Sequence, residues 1–227
     1  MKKKEQAVLL LSGGMDSVTL LHYAGKRLGL SLCALTFDYG QKHRRELQAA
    51  AWQAAAVQLP LHRVVDLSFF ATLTSGASAL TDPALTVPDL AQLDAETLTQ
   101  PPTYVPNRNM ILLSIAAAFA ESLGVDRVLY GAQCQDDYGY WDCTRPFLDR
   151  LNAVLALNRR RAVTVQAPFI GKRKADELRL GLELGVDYAH TWTCYRGETK
   201  ACGTCPACIE RLRAFTELGT PDPLAYC

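Results

Sequence analysis

An open, doubly wound α/β fold with a parallel sheet and a small C-terminal metal-binding segment is the fold class this sequence predicts, and three features predict it. Apolar runs of strand length alternate with longer stretches of helical period along most of the chain, the pattern of parallel strands joined by crossover helices. The first apolar run ends in Ser12, Gly13 and Gly14 and leads straight into a helical stretch, and such sheets bind ligands beyond the carboxyl ends of their strands. Four cysteines crowd into residues 194 to 208.

With 227 residues, 49% of them apolar, the chain suits one domain of ordinary size, or one domain with a small appendage. In order, "AVLLL" (7–11) predicts the first strand and 16–28 the first helix. "LCALTFDY" (32–39) is a strand, 44–58 a helix and "HRVVDL" (62–67) a strand. After a break come a helix over 109–123, a strand at 127–132, a helix over 144–157, a strand at 162–168 and a helix over 174–184. The break, 72–106, is rich in Thr, Pro and Ala without a sustained period. A loop of that length is disordered or a lid over a site, and the specific chemistry of "TYVPNRN" at its end favours the lid. The division expected is an α/β domain over 1–190 and a cysteine-bearing segment over 191–227, with a helix at 209–218.

Lys and Arg number 24 against 23 Asp and Glu, a net charge of +1, so no global field favours nucleic acid or a membrane surface. The start, "MKKKEQAVLLLSGG", imitates a signal peptide, yet its apolar run is too short for one. No segment approaches the length of a membrane helix, and a cytoplasmic protein is expected. Clustered thiols in such a chain point to metal rather than to disulfides.

The loop "SGGMDS" (12–17) presents backbone amides beside a helix N-terminus, which makes an anion site. It is neither a Walker A loop nor GxGxxG. An acid inside a phosphate loop is explained by Mg²⁺ beside Asp16, or by Asp16 capping the helix. The bland alternative, a tight turn with an Asp cap, does not account for Ser, Asp and Ser together. Asp38 and Tyr39 end the second strand where a nucleotide or substrate would sit, although a plain strand-to-turn reading fits them equally. Arg108 and Asn109 place a guanidinium and an amide at a helix N-terminus. Lys174 is a cation in a first turn, where the helix dipole disfavours it unless an anion is near; a solvated lysine is the alternative.

Cys194, Cys202, Cys205 and Cys208 supply four thiolates, enough to close a tetrahedral zinc site of structural type. An iron-sulfur cluster is the competing occupant, but the ferredoxin run would place a fourth cysteine three residues on, where "IERL" stands. Cys227 is a weaker candidate for the fourth ligand. "GTCPACIER" lacks the basic and aromatic interleaving of a nucleic-acid ribbon.

Residues Ser12, Gly13, Gly14, Asp16 and Ser17 match SGGxDS, the signature of the PP-loop ATP pyrophosphatases, a Rossmann-like fold that the sequence therefore resembles. Together with "FDYGQKHRREL", "TYVPNRN", "GYWDC", "KADELRLGLELG", "TWTCY" and "CGTCPAC", the chain is similar from end to end to the QueC family of 7-cyano-7-deazaguanine synthases. That resemblance implies an ATP-dependent carbon-nitrogen ligase of queuosine precursor biosynthesis, joining 7-carboxy-7-deazaguanine and ammonia through adenylated intermediates. Mg²⁺ is expected with ATP beside Asp16, and the net charge of +1 with no long basic stripe predicts no nucleic-acid partner. The resemblance also implies a structural zinc on the four cysteines and a homodimer. It makes Leu11, Ser12, Gly13, Gly14, Met15, Asp16, Ser17, Val18, Thr19, Leu20 and Leu21 the ATP loop, joined by Arg108 and Asn109. Asp16, Ser17 and Lys174 become the catalytic candidates, and Asp38, Tyr39, Asp137, Asp142 and Arg145 those for the base. The stretch "QDDYGYWDCTRPF" departs from the family pattern at Tyr138, Trp141 and Thr144. The runner-up is a PP-loop tRNA thiolase using Cys134 or Cys143 as a persulfide carrier; a nucleotide-sensing binding protein is the non-enzymatic alternative.

Overall fold

The computed structural model describes residues 5–94, 100–133, 139–197 and 199–227. Its sheet has five strands, all parallel: β1 (Gln6–Leu10), β2 (Ser31–Asp38), β3 (Leu61–Asp66), β4 (Arg127–Leu129) and β5 (Thr164–Gln166), in the order β3-β2-β1-β4-β5. Val8 pairs with Cys33 on one side and with Val128 on the other. Strand order reverses between β1 and β4, and that is the switch point where an open α/β sheet leaves a crevice.

Helices α1 (Met15–Lys26), α2 (Arg45–Ala56), α3 (Phe69–Leu73), α4 (Arg108–Ser122), α5 (Arg145–Leu155), α6 (Lys174–Glu183) and α7 (Pro206–Glu217) cover both faces. Alternation along the strands sorts the core. Val8, Leu35, Val128 and Val165 face Leu113, Ala116 and Ala120 of α4 and Phe147 and Leu148 of α5. Ala7, Leu9, Ala34 and Leu129 face Val18 and Leu21 of α1, Leu178 of α6 and Phe215 of α7. Gly181 lets Tyr188 approach α6, since a Cβ there would lie 2.8 Å from Tyr188 Cζ and closer still to its hydroxyl.

The expected strands at 127–132 and 162–168 contract to three paired residues each, because β4 and β5 pair over only three positions. The C-terminal helix begins at Pro206 rather than 209, since proline is well suited to a first turn. Within 72–106, the described residues are woven into the core rather than left as bare loop. Ala79, Leu80, Val87 and Val105 join the α4 side of the core, and the Asp82 carboxylate accepts the amides of Gly76 (2.6 Å) and Ala84 (2.8 Å). Trp192, Cys194, Ala201, Cys205 and Cys208 belong to that same core. Among the described residues no helix is long and apolar enough to cross a membrane.

Candidate active site

The turn after β1 is built by glycine and by two serines that brace each other. Gly13 sits at φ +82° with no room for a side chain: a Cβ would lie 2.6 Å from the Ala50 nitrogen and nearer still to the Glu46 carbonyl oxygen. The Ser17 hydroxyl donates to the Gly14 carbonyl at 3.1 Å, receives the Ser12 amide at 3.1 Å and lies 3.0 Å from the Ser12 hydroxyl. Trp192 donates its amide to the Gly13 carbonyl at 2.9 Å, tying the turn to the C-terminal segment. Gly14 is the residue before α1 and brings no side-chain cap. The helix therefore keeps its first amides free for an anion. Asp16 is not the cap; it lies inside the first turn.

A cleft of about 270 Å³ opens over this turn. Leu11, Ser12, Gly14, Met15, Asp16 and Ser17 line it. Val18, Thr19, Leu20 and Leu21 bury their side chains in the core, and Thr19 Oγ1 meets the Tyr188 hydroxyl at 2.7 Å. Lys174, at the start of α6, reaches the cleft from 158 residues away. Its Nζ lies 3.3 Å from Asp16 Oδ2 and 3.3 Å from Glu210 Oε2. Asp16 Oδ1 is buried and has no hydrogen-bond partner among the described residues. Behind this trio Glu177 is fully buried, and among the described residues neither carboxyl oxygen has a hydrogen-bond partner. Burial, helped by the charge of Asp16 and opposed by Lys174, holds its pKa well above the usual carboxylate range.

Across the cleft, Arg108 at the start of α4 donates to the Tyr39 hydroxyl at 3.2 Å and lies over its ring, 5.5 Å from the centroid. Burial pushes the Tyr39 phenol up to about 12, so it stays neutral. Asn109 lines the cleft too; its amide reaches Asp142 Oδ2 at 3.3 Å and its side chain donates to Cys143 Sγ at 3.4 Å. Asp142 is buried and supports the α4 start from behind, its pKa raised by desolvation against the pull of Arg108. Asp38 is likewise buried beside the cleft, accepting the Gly40 amide at 3.2 Å and paired with Arg44. Arg145 is exposed at the first position of α5. Asp137 and Cys134 lie outside the described residues.

Sequence reasoning passed over Glu46, Gln41, Glu177 and Glu210. Glu46 lines the cleft; its Oε1 accepts from Gln41 Nε2 at 2.8 Å, while Gln41 Oε1 accepts the Tyr39 amide at 2.7 Å. Burial raises the Glu46 pKa to about 7 against the lowering effects of Gln41 and Arg108. The available signal for Glu46 was position, at the start of the helix that follows the carboxyl end of β2.

The four cysteines meet as expected. Cys194, Cys202, Cys205 and Cys208 bring their sulfurs within 4.8 Å of one another, and Cys202 and Cys208 stand 3.9 Å apart. A single zinc with Zn–S bonds of about 2.3 Å needs sulfur-sulfur edges of about 3.8 Å, so the donor set fits one ion. The amides of Arg196, Gly197 and Cys202 point at Cys194 Sγ at 3.3, 3.0 and 3.3 Å, which favours thiolate. Cys227 is exposed and stands outside the set. Cys194 and Ala207 also line the cleft, so the thiolate segment forms one of its walls.

A family model described as "Queuosine biosynthesis protein QueC" matches residues 6–219. The 7-cyano-7-deazaguanine synthase of Caldicellulosiruptor bescii is 46% identical over 221 residues, covering 97% of each chain. That of Marinobacter nauticus is 45% identical, covering 98% of this chain and 97% of its own. Among solved structures, NMN synthetase from Francisella tularensis is similar with a TM-score of 0.53 at 16% identity, covering 96% of this chain and 79% of that one. The U34-tRNA thiolase NcsA from Methanococcus maripaludis, solved with its [4Fe-4S] cluster, gives 0.53 at 14% identity over 87% of this chain and 62% of its own. These two likenesses concern the fold alone. The match over nearly the whole chain decides the family: this chain belongs to the QueC family of queuosine biosynthesis proteins.

Proposed function

We propose that this chain converts 7-carboxy-7-deazaguanine and ammonia into 7-cyano-7-deazaguanine at the expense of ATP. The observation that carries this is the turn after β1: uncapped α1 amides and braced serines face the cleft, in a chain of this family. A carboxylate is a poor electrophile because its leaving group would be oxide. Transfer of AMP to it creates a stable leaving group, ammonia displaces that group to give the amide, and adenylation of the amide oxygen followed by loss of AMP gives the nitrile.

The amides of the first turn of α1 hold the pyrophosphate part of ATP, with Ser12, whose hydroxyl accepts the Gly14 amide at 3.2 Å, and Ser17 keeping the geometry of the turn. Lys174 and Arg108 supply positive charge from opposite walls. Mg²⁺ arriving with ATP would suit Asp16, whose buried Oδ1 lacks a hydrogen-bond partner among the described residues, and would supply charge neutralisation at phosphorus. No covalent nucleophile is required. The four thiolates leave no open position on a bound zinc, so zinc there is structural. The family resemblance adds a homodimer and a cytoplasmic location.

One time course quantifying AMP, ADP, amide and nitrile tests the scheme. Two AMP should accompany each nitrile, and the primary amide should appear transiently and be consumed, when supplied directly, with one AMP and no ammonia. ADP as the main nucleotide product would overturn the adenylation scheme.

A further inference from the structure

The proposed conversion strips every proton from nitrogen, so something in the cleft must accept them. Ammonia loses one proton on becoming the amide and two more on becoming the nitrile. Several carboxylates in or beside the cleft are already committed. Asp16 and Glu210 hold Lys174, Asp38 holds Arg44, and Asp142 is 2% exposed behind Asn109. The Tyr39 hydroxyl is occupied by Arg108.

Resting on the function proposed above, we infer that Glu46 is the general base that receives the nitrogen protons. Three observations converge on it. Glu46 lies at the second residue of α2 and lines the cleft, and its backbone abuts Gly13 of the phosphate turn, which sets it beside the triphosphate. Gln41 holds one carboxyl oxygen at 2.8 Å, with its own carbonyl fixed by the Tyr39 amide and its nitrogen also bonded to the Phe37 carbonyl at 3.1 Å. That clamp orients the carboxyl without neutralising it. The groups that bear on its charge are Asp38, Gln41 and Arg108, and the other charged or titratable side chains lining the cleft near it include His43, Lys174, Asp16 and Glu210. Burial raises its pKa to about 7, and a base works best when its pKa lies near the operating pH.

The steps balance as follows. In the first, the C–N bond forms, the C–O bond to the adenylate breaks with its electron pair leaving on AMP, and one N–H proton passes to Glu46. In the second, the amide oxygen bonds to the α-phosphorus as pyrophosphate departs, and an N–H proton again passes to Glu46. Loss of AMP then breaks the C–O bond while the last N–H pair closes the C≡N bond and its proton goes to the same carboxylate. Glu46 discharges each proton to water between steps.

The test uses the full-length wild type and Glu46→Gln, a change that keeps an acceptor for Gln41. With the primary amide as substrate, ammonium titration plays no part in the pH profile. Nitrile formation by the wild type should fall as pH drops below about 7, whereas Glu46→Gln should be slower by about a hundredfold and lack that limb. Pyrophosphate-ATP exchange driven by the carboxylic acid moves no nitrogen proton and should persist in the variant. Wild-type nitrile rates in Glu46→Gln, or loss of the exchange together with the nitrile, would overturn the inference. Absence of acid-dependent exchange in the wild type would instead overturn the functional proposal itself.

Discussion

Replacing Gly13 with alanine separates two costs that the phosphate turn imposes on its backbone. The residue stands at φ +82°, and a left-handed backbone costs an alanine about 1–2 kcal/mol. The second cost is collision. The new Cβ would lie 2.6 Å from the Ala50 nitrogen, 3.1 Å from the Ala49 Cβ and nearer than either to the Glu46 carbonyl oxygen. Two of these are backbone atoms of α2 that no rotamer change can move, so helix and turn must separate, at an overpacking cost of about 1–3 kcal/mol. Gly76 is the internal control, with φ +79° and, among the described residues, nothing within 4 Å of its Cβ position. Gly13→Ala should therefore lose about 2–5 kcal/mol of unfolding free energy and Gly76→Ala only about 1–2 kcal/mol. Urea denaturation of the metal-loaded proteins at one pH reads both values. ATP affinity should fall in Gly13→Ala alone, because only there do the phosphate-facing amides shift. Equal losses of stability in the two variants would refute the steric reasoning.

Purified protein should carry about one zinc per chain and be colourless, and Cys205→Ser should lose metal and thermal stability together, because structural zinc binding is folding free energy. A variant without metal but with normal melting would refute the structural role, and brown protein would indicate an iron-sulfur cluster. Glu46→Gln should raise stability at alkaline pH. The Glu46 pKa rises from its ordinary 4.5 to about 7 on folding, so the folded state binds more protons between those values and stability falls as pH climbs through them. Above pH 7 that cost reaches up to about 3 kcal/mol, and at pH 4 it vanishes. Denaturant midpoints of wild type and variant compared at pH 4 and pH 8 should diverge only at the higher pH; the same difference at both would refute it.

Strands β1, β2 and β3 were legible to within a residue or two, because each is an apolar run closed by turn-forming residues. The packing of 72–94 and 100–106 was not. It depends on scattered anchors such as Leu80, Val87 and Val105 and on the Asp82 carboxylate gripping nearby amides, none of which has a period. In the site, the serines, Asp16 and the four cysteines announced themselves by local spacing. The meeting of Lys174 with Asp16 and Glu210 did not, since it spans 158 residues on one side and 36 on the other. Glu46, Glu177 and Glu210 read in sequence as ordinary solvated helix acids. Desolvation is what sets Glu46 and Glu177 apart, and it exists only once the chain has folded around them.

Lys174 is a cation with its counterions already loaded. A phosphate group that reaches it takes a carboxylate's place, so capture is an exchange of partners whose net electrostatic gain is small. The directional share of nucleotide affinity then falls to the backbone amides of α1, which have nothing to give up. Removing Lys174 alone leaves Asp16 and Glu210 facing the incoming anion uncompensated, and the measured loss contains their repulsion as well as the attraction that the lysine supplied.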